Sequence, residues 1–173
     1  MMVAKDSSSS ATQSIGSIGG GLFSYTSHFC VVPEALYREE DQDLWLNFME
    51  EHIDPKQEIA VYHIDDEHCY VLHEKTGEEE HCVSWLMEQS RLLTEATKVV
   101  VAVFDEAIGV VAYKEGRLQL ANVYAYKSAE DMLYYLLSIS EEVLQDRQVP
   151  IYINDRAWAS NKTLTDYLNI RPL

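Results

Sequence analysis

Six potential metal ligands crowd one short stretch, HIDDEHCYVLHEKTGEEEHC: His63, His68, Cys69, His73, His81 and Cys82. Imidazole and thiolate are zinc ligands, so a site drawn from His63, His68, Cys69 and His73 is the first chemistry to weigh. The spacing, H-x4-H-C-x3-H-x7-H-C, matches no standard ligand pattern. Strand alternation also sends Cys69, Val71 and His73 to one face and His68, Tyr70 and Leu72 to the other, so the ligands diverge. Buried thiols and half-exposed strand histidines are expected there instead, with no metal or other cofactor. A Cys/His nucleophile pair is weaker still, because no third group orients it.

Composition narrows the function classes. The 173 residues carry 29 acids against 13 bases, a net charge of −16, and the bases are scattered singly. Such a field repels phosphate backbones and anionic lipid, which argues against nucleic acid and membrane surfaces as partners. The three cysteines form no C-x-x-C, as expected of free thiols in a reducing cytoplasm. No apolar run reaches transmembrane length.

The elements that would position these side chains are legible in outline. Residues 1–21, rich in Ser and Gly, read as a disordered tail; residues 22–96 read as a small N-terminal α/β lobe, whole or incomplete; residues 97–173 read as a second lobe. In the first lobe, YTSHFCVV is a strand ended by Pro33. A helix follows over EEDQDLWLNFMEEH, up to the Asp54-Pro55 break. EIAVYHI and HCYVLH form a hairpin through Asp65-Asp66. EEEHCVSWLMEQSRLL is a helix whose Glu78 to Glu80 run forms a solvated N-terminus, as Glu39 to Asp43 does for the helix before it. From Lys98, KVVVAVF is a β-branched run suited to burial on both faces. IGVVAYK pairs back after Asp105-Glu106, and RLQLANVYAY follows Glu115-Gly116. A helix opens at Ser128 with Asp131 as the far partner of its cap, and its all-round apolar character predicts cover on both sides. Pro150 opens a last strand, IYIN, and NKTLTDYLN closes the chain as a short helix capped near Asn161.

Three antiparallel meander strands, a helical crossover and a strand returning beside the first make an RNase H-like half-domain, the unit that is doubled in the actin superfold. The fold class is thus α/β, with a mixed sheet. The segments HFCVVPEALYREED and LQLANVYAYKSAEDMLYYLL resemble a Bacteroidetes family of unknown function assigned to that superfold. The resemblance spans about residues 28 to 158. It implies fold and lineage and names no catalytic residues.

The resemblance makes the Asp105-Glu106 turn a test of nucleotide binding. Active actin-like proteins carry glycines there, whose N–H groups close on phosphate oxygens, and an Asp that holds metal or water. Counting back from YKEG puts that Asp at Ala102 and the glycine run at Phe104, Asp105 and Glu106. A nucleotide-binding ATPase or kinase with atypical loops would use Asp105, Glu106, Gly109 and Asp155. A two-metal nuclease would use Asp105, Glu130 or Asp131, and Asp155. The adjacent carboxylates oppose a triphosphate, and a hairpin is expected. Tyr134 and Tyr135 are read as core, or as a lobe or dimer interface where aromatic residues are enriched. The whole predicts a non-enzymatic protein acting through protein contacts, with a homodimer as one form.

Overall fold

The computed structural model describes residues 15–47, 58–74 and 79–173. In chain order the elements are β1 (Ile15–Ile18), β2 (Gly21–Ser24), β3 (Phe29–Pro33), α1 (Gln42–Asn47), β4 (Ile59–Ile64), β5 (Cys69–Glu74), β6 (Glu80–His81) and α2 (Cys82–Arg91). There follow β7 (Lys98–Val103), β8 (Ala107–Lys114), β9 (Arg117–Ala125), α3 (Ala129–Ser138), β10 (Pro150–Ile153), α4 (Arg156–Ala159), α5 (Lys162–Thr165) and β11 (Asn169–Pro172).

The β7–β8–β9 meander forms through the two expected turns, and β10 returns parallel to β7 with Ile151 beside Val99. The closing segment differs from expectation. Asn161 caps α5, accepting from Thr163 N at 2.9 Å. That helix ends at Thr165, and Asn169–Pro172 becomes a fifth strand parallel to β10. The sheet order is therefore β11-β10-β7-β8-β9. Ser128 caps α3 by accepting from Asp131 N at 3.2 Å, while the Asp131 carboxylate accepts from Lys127 N at 2.9 Å.

The β-branched run in β7 is buried on both faces. Val99 and Val101 join Ile108, Val110, Ile151 and Ile153 against Met132, Leu136 and Leu164 of the α3/α5 layer. Val100 and Ala102 face the other way, toward Cys82, Val83, Leu86 and Met87 of α2. Each such apolar side chain taken out of water contributes on the order of 2 kcal/mol. The α2-side core also holds Phe23, Phe29 and Val71, so it is shared across the expected lobe boundary at 96/97.

Two N-terminal expectations are corrected. Residues 15–21 are not tail: Ile15–Ile18 pairs with Gly21–Ser24, Ile15 opposite Ser24. Residues 1–14 lie outside the described residues. Glu80–His81 is not a helix start but a strand parallel to β2, with Ser24 beside His81. The helix begins at Cys82, where the His81 imidazole takes the capping role, accepting from Val83 N at 3.3 Å. Leu46 is the buried residue of α1, and the expected continuation through Met49 and His52 lies outside the described residues. The β4–β5 hairpin forms as expected, but β3 pairs with β5, giving the order β3-β5-β4. Finally, α3 is covered on one side: Met132 and Leu136 are buried while Tyr134 is 68% exposed.

Candidate functional site

The Asp105-Glu106 turn is a tight hairpin closed by a bond from Phe104 N to Ala107 O at 2.9 Å. It lies at the carboxyl ends of β7 and β10, beside a recess of about 340 Å³ lined by Gly16, Ser17, Tyr25, Asp105, Tyr126, Asp155 and others. Strand ends at such a topological switch point are where open α/β sheets bind ligands. Here the corner is filled. Tyr25 stacks on Phe104 at 4.5 Å between ring centres, and the Tyr126 hydroxyl donates to Phe104 O at 2.7 Å. The β1 backbone presses so close that a Cβ at Gly16 would sit 2.3 Å from the Phe104 ring, which is why glycine occupies the position.

The recess is electronegative. Burial raises the Tyr25 hydroxyl pKa, and the Asp105 and Glu106 carboxylates raise it further. Tyr126 is raised likewise by burial, then by Asp105 and Asp155. Asp155 is committed to a cap, accepting from Trp158 N at 2.9 Å, and Asn154 accepts from Val103 N at 2.9 Å, tying β10 to β7. Asp105 and Asp155 thus meet in one recess, as the sequence grouped them. Gly109 does not join them. It is buried in mid-β8 between Ala102 and Val123, and a Cβ there would meet Cys82 Sγ at 2.8 Å. Gly109 lets α2 approach the sheet. It cradles no phosphate.

The histidines divide into two groups. His63 and His68 lie outside, His63 at 2.7 Å from Asp65 and His68 at 3.3 Å from Glu34. His73 is interior, its Nδ1–H donating to Glu74 O at 2.8 Å and its ring stacked 5.6 Å from Tyr62. Burial pushes its pKa down. His81, which the zinc reading set aside, is fully buried 5.1 Å from His73 and holds Thr26 O at 2.9 Å. Burial, then the neighbouring His73, lowers its pKa to about 3. Among the described residues no group of three or more His, Cys, Asp or Glu side chains is placed to hold a metal ion. Burial raises the Cys30 and Cys69 thiols to about 11 and Cys82 higher still, so none is a ready thiolate nucleophile. The three are free cysteines, Cys69 and Cys82 buried.

A larger concavity lies elsewhere, at residues that carry no chemical motif. A groove of about 800 Å³ runs between β3 and β9, lined chiefly by Phe29, Val31, Trp45, Leu118, Leu120 and Ala121, with Glu67 and Arg117 as its charged members and His68 also on its wall. Both walls are sheet edges, since β3 ends the three-stranded sheet and β9 the five-stranded one. The available signal was the β9 sequence itself, RLQLANVYA, nine residues with one charge in a chain of net charge −16. Tyr134 and Tyr135 lie away from it on α3, Tyr135 stacked 4.7 Å from Tyr124 and Tyr134 meeting Tyr135 edge-on at 5.8 Å. Tyr135 is partly packed against the core and Tyr134 is exposed.

Among the described residues no helix is long and apolar enough to cross a membrane. No curated protein matches the chain at a significant level. Residues 78–154 match the family described as "Protein of unknown function (DUF3822)". A crystal structure from Bacteroides thetaiotaomicron, described as a protein with actin-like ATPase fold and unknown function, superimposes with a TM-score of 0.63 at 18% identity. That match covers 82% of this chain and 61% of the other, so the present chain spans about three-fifths of its relative's length. Over residues 78–154 the chain therefore resembles a family of unknown function, DUF3822, and its architecture is the actin-like ATPase fold.

Proposed function

We propose that this chain is a non-catalytic protein-interaction module on an actin-like fold, working in the cytoplasm of a Bacteroidetes bacterium. The observation that carries the reading is the contrast between its two concavities. The strand-end recess is walled by Asp105, Asp155 and tyrosine hydroxyls, and β1 and Tyr25 crowd its phosphate corner. The β3/β9 groove is apolar and open along two edges that no other described strand pairs with. Aromatic and aliphatic lining of that kind suits a protein partner. Three unpaired cysteines support a reducing compartment. The acidic balance disfavours nucleic acid and anionic membrane as partners.

Thermal-shift titration with Mg²⁺ and ATP tests this reading, because a ligand that binds only the folded state raises its stability by mass action. No saturable shift is expected. A saturable shift abolished by Asp105→Ala together with Asp155→Ala would establish a nucleotide-binding protein with atypical loops instead.

A further inference from the structure

This inference rests on the groove being a protein-binding surface and names how it is filled. We propose that the β3/β9 groove accepts an extended partner segment, apolar at alternate positions and basic at one end, which hydrogen-bonds to both open sheet edges. The backbone itself indicates a strand. Tyr126 N donates to Glu106 O at 3.0 Å, so by antiparallel alternation Tyr124, Asn122 and Leu120 face β8, while Val123 and Ala121 aim their N–H and C=O groups away. On the opposite wall Glu34 N donates to His68 O at 2.7 Å, which turns Val32 and Cys30 toward β5 and leaves Val31 and Phe29 facing outward.

Edge strands are usually guarded by charge, proline or bulges. β9 has a register shift near Leu118–Leu120, opposite Ala112 and Tyr113, but its remaining protection is its own amide side chains. Asn122 Oδ1 accepts from Val123 N at 2.9 Å. Gln119 Nε2 donates to Arg117 O at 3.2 Å and Leu118 O at 3.3 Å. These short-range bonds stand in for a neighbouring strand and can swing aside when one arrives. A helix cannot replace them, because its backbone groups are already bonded internally; an added strand can. Alternation would then set every second side chain of the guest against Phe29, Leu118 and Leu120.

Charge selects the guest. Glu67 lines the groove, and Glu34 sits beside it, bonded to the lining residue His68, so two carboxylates outweigh the one guanidinium of Arg117. With a chain charge of −16, a second copy of this protein meets repulsion, whereas a basic segment meets attraction.

The probe is a fluorescein-labelled, end-blocked peptide, KKVTVTVTV, followed by anisotropy with the full chain. Saturable binding is expected, weakened about tenfold or more by N-methylating alternate valines, and similarly by replacing both lysines with glutamate. Ala121→Pro removes only an outward N–H, so it should keep the thermal midpoint and lose peptide binding. Should that variant fail to fold, amide exchange on the wild-type chain gives the same answer: Ala121 and Val31 must become protected when peptide is added. Equal binding of the N-methylated peptide, unprotected amides in the complex, or no binding by any of the peptides overturns strand addition. If Leu118→Glu abolishes peptide binding while Ala121→Pro does not, the groove binds protein by side chains alone; the inference falls and the proposed function stands.

Discussion

The recess at the ends of β7 and β10 and the groove between β3 and β9 differ in every property that decides what a concavity can hold. The recess is small, carboxylate-lined and wedged by Phe104, Tyr25 and the β1 backbone. The groove is more than twice as large, apolar, and bordered by backbone that has no neighbouring strand among the described residues. An inherited fold places a ligand crevice at the first location, but fold alone does not preserve its chemistry. In this chain Phe104 and Tyr25 make that location part of the core's rim, and the larger concavity lies along the sheet edges.

The comparison breaks first if the recess proves dispensable for stability. Phe104 is 6% exposed, so Phe104→Ala should cost about 3 kcal/mol in urea unfolding. A neutral result would mean that the corner is an open site rather than a wedge.

Acid should act next, on the wall behind the groove, where His81 lies 4.5 Å from Phe29. His81 and His73 are bases whose folded pKa lies below the ordinary 6.5. The folded state therefore binds fewer protons than the unfolded chain as pH falls from about 6.5 toward 3. The stabilisation from His81 is present above that window and lost through it, by up to about 1.4 kcal/mol per pH unit, and that from His73 is lost in the same direction below 6.5. Urea unfolding across the window should show this slope, and His81→Gln should flatten it. An unchanged slope in the variant would place the acid sensitivity elsewhere.

A smaller effect is expected at Asp155, whose side chain caps α4. Asp155→Ala should cost about 1 kcal/mol, and Asp155→Asn should restore most of it. If Asn fails to rescue, the carboxylate has a role beyond capping. Least of all, Leu118→Ser in the groove should change stability by no more than about 0.5 kcal/mol by thermal unfolding, because a partly exposed edge residue has little to lose. A large loss there would show that the groove wall belongs to the core.

What could be read ahead of the structure follows from how local each signal is. The β7–β8–β9 meander and the Ser128 cap rest on β-branched runs, turn residues and capping side chains within a few positions of one another, while the parallel return of β10 follows from the handed crossover of a helix between two strands. The end of the chain was misjudged because Leu164 to Asn169 carries helical spacing, while β10 offers Asn169–Pro172 an open strand edge. Glu80–His81 was misjudged because its strand partner, Phe23–Ser24, lies more than fifty residues earlier. The zinc cluster dispersed for a related reason: His63 and His68 found carboxylates at the surface, while His73 and His81 were carried inward with β5 and the start of α2.

By itself the sequence determined the sign of the protein's field, the identity of its central strands and the absence of glycine at the phosphate turn, since charge, β-branching and residue type need no partner to be read. Only the tertiary structure decided that Gly109 serves α2, that Phe104 seals the strand ends and that β3 and β9 face one another as open edges. Those outcomes depend on which distant segments share a surface, and pairing across the chain is set by how the whole core packs.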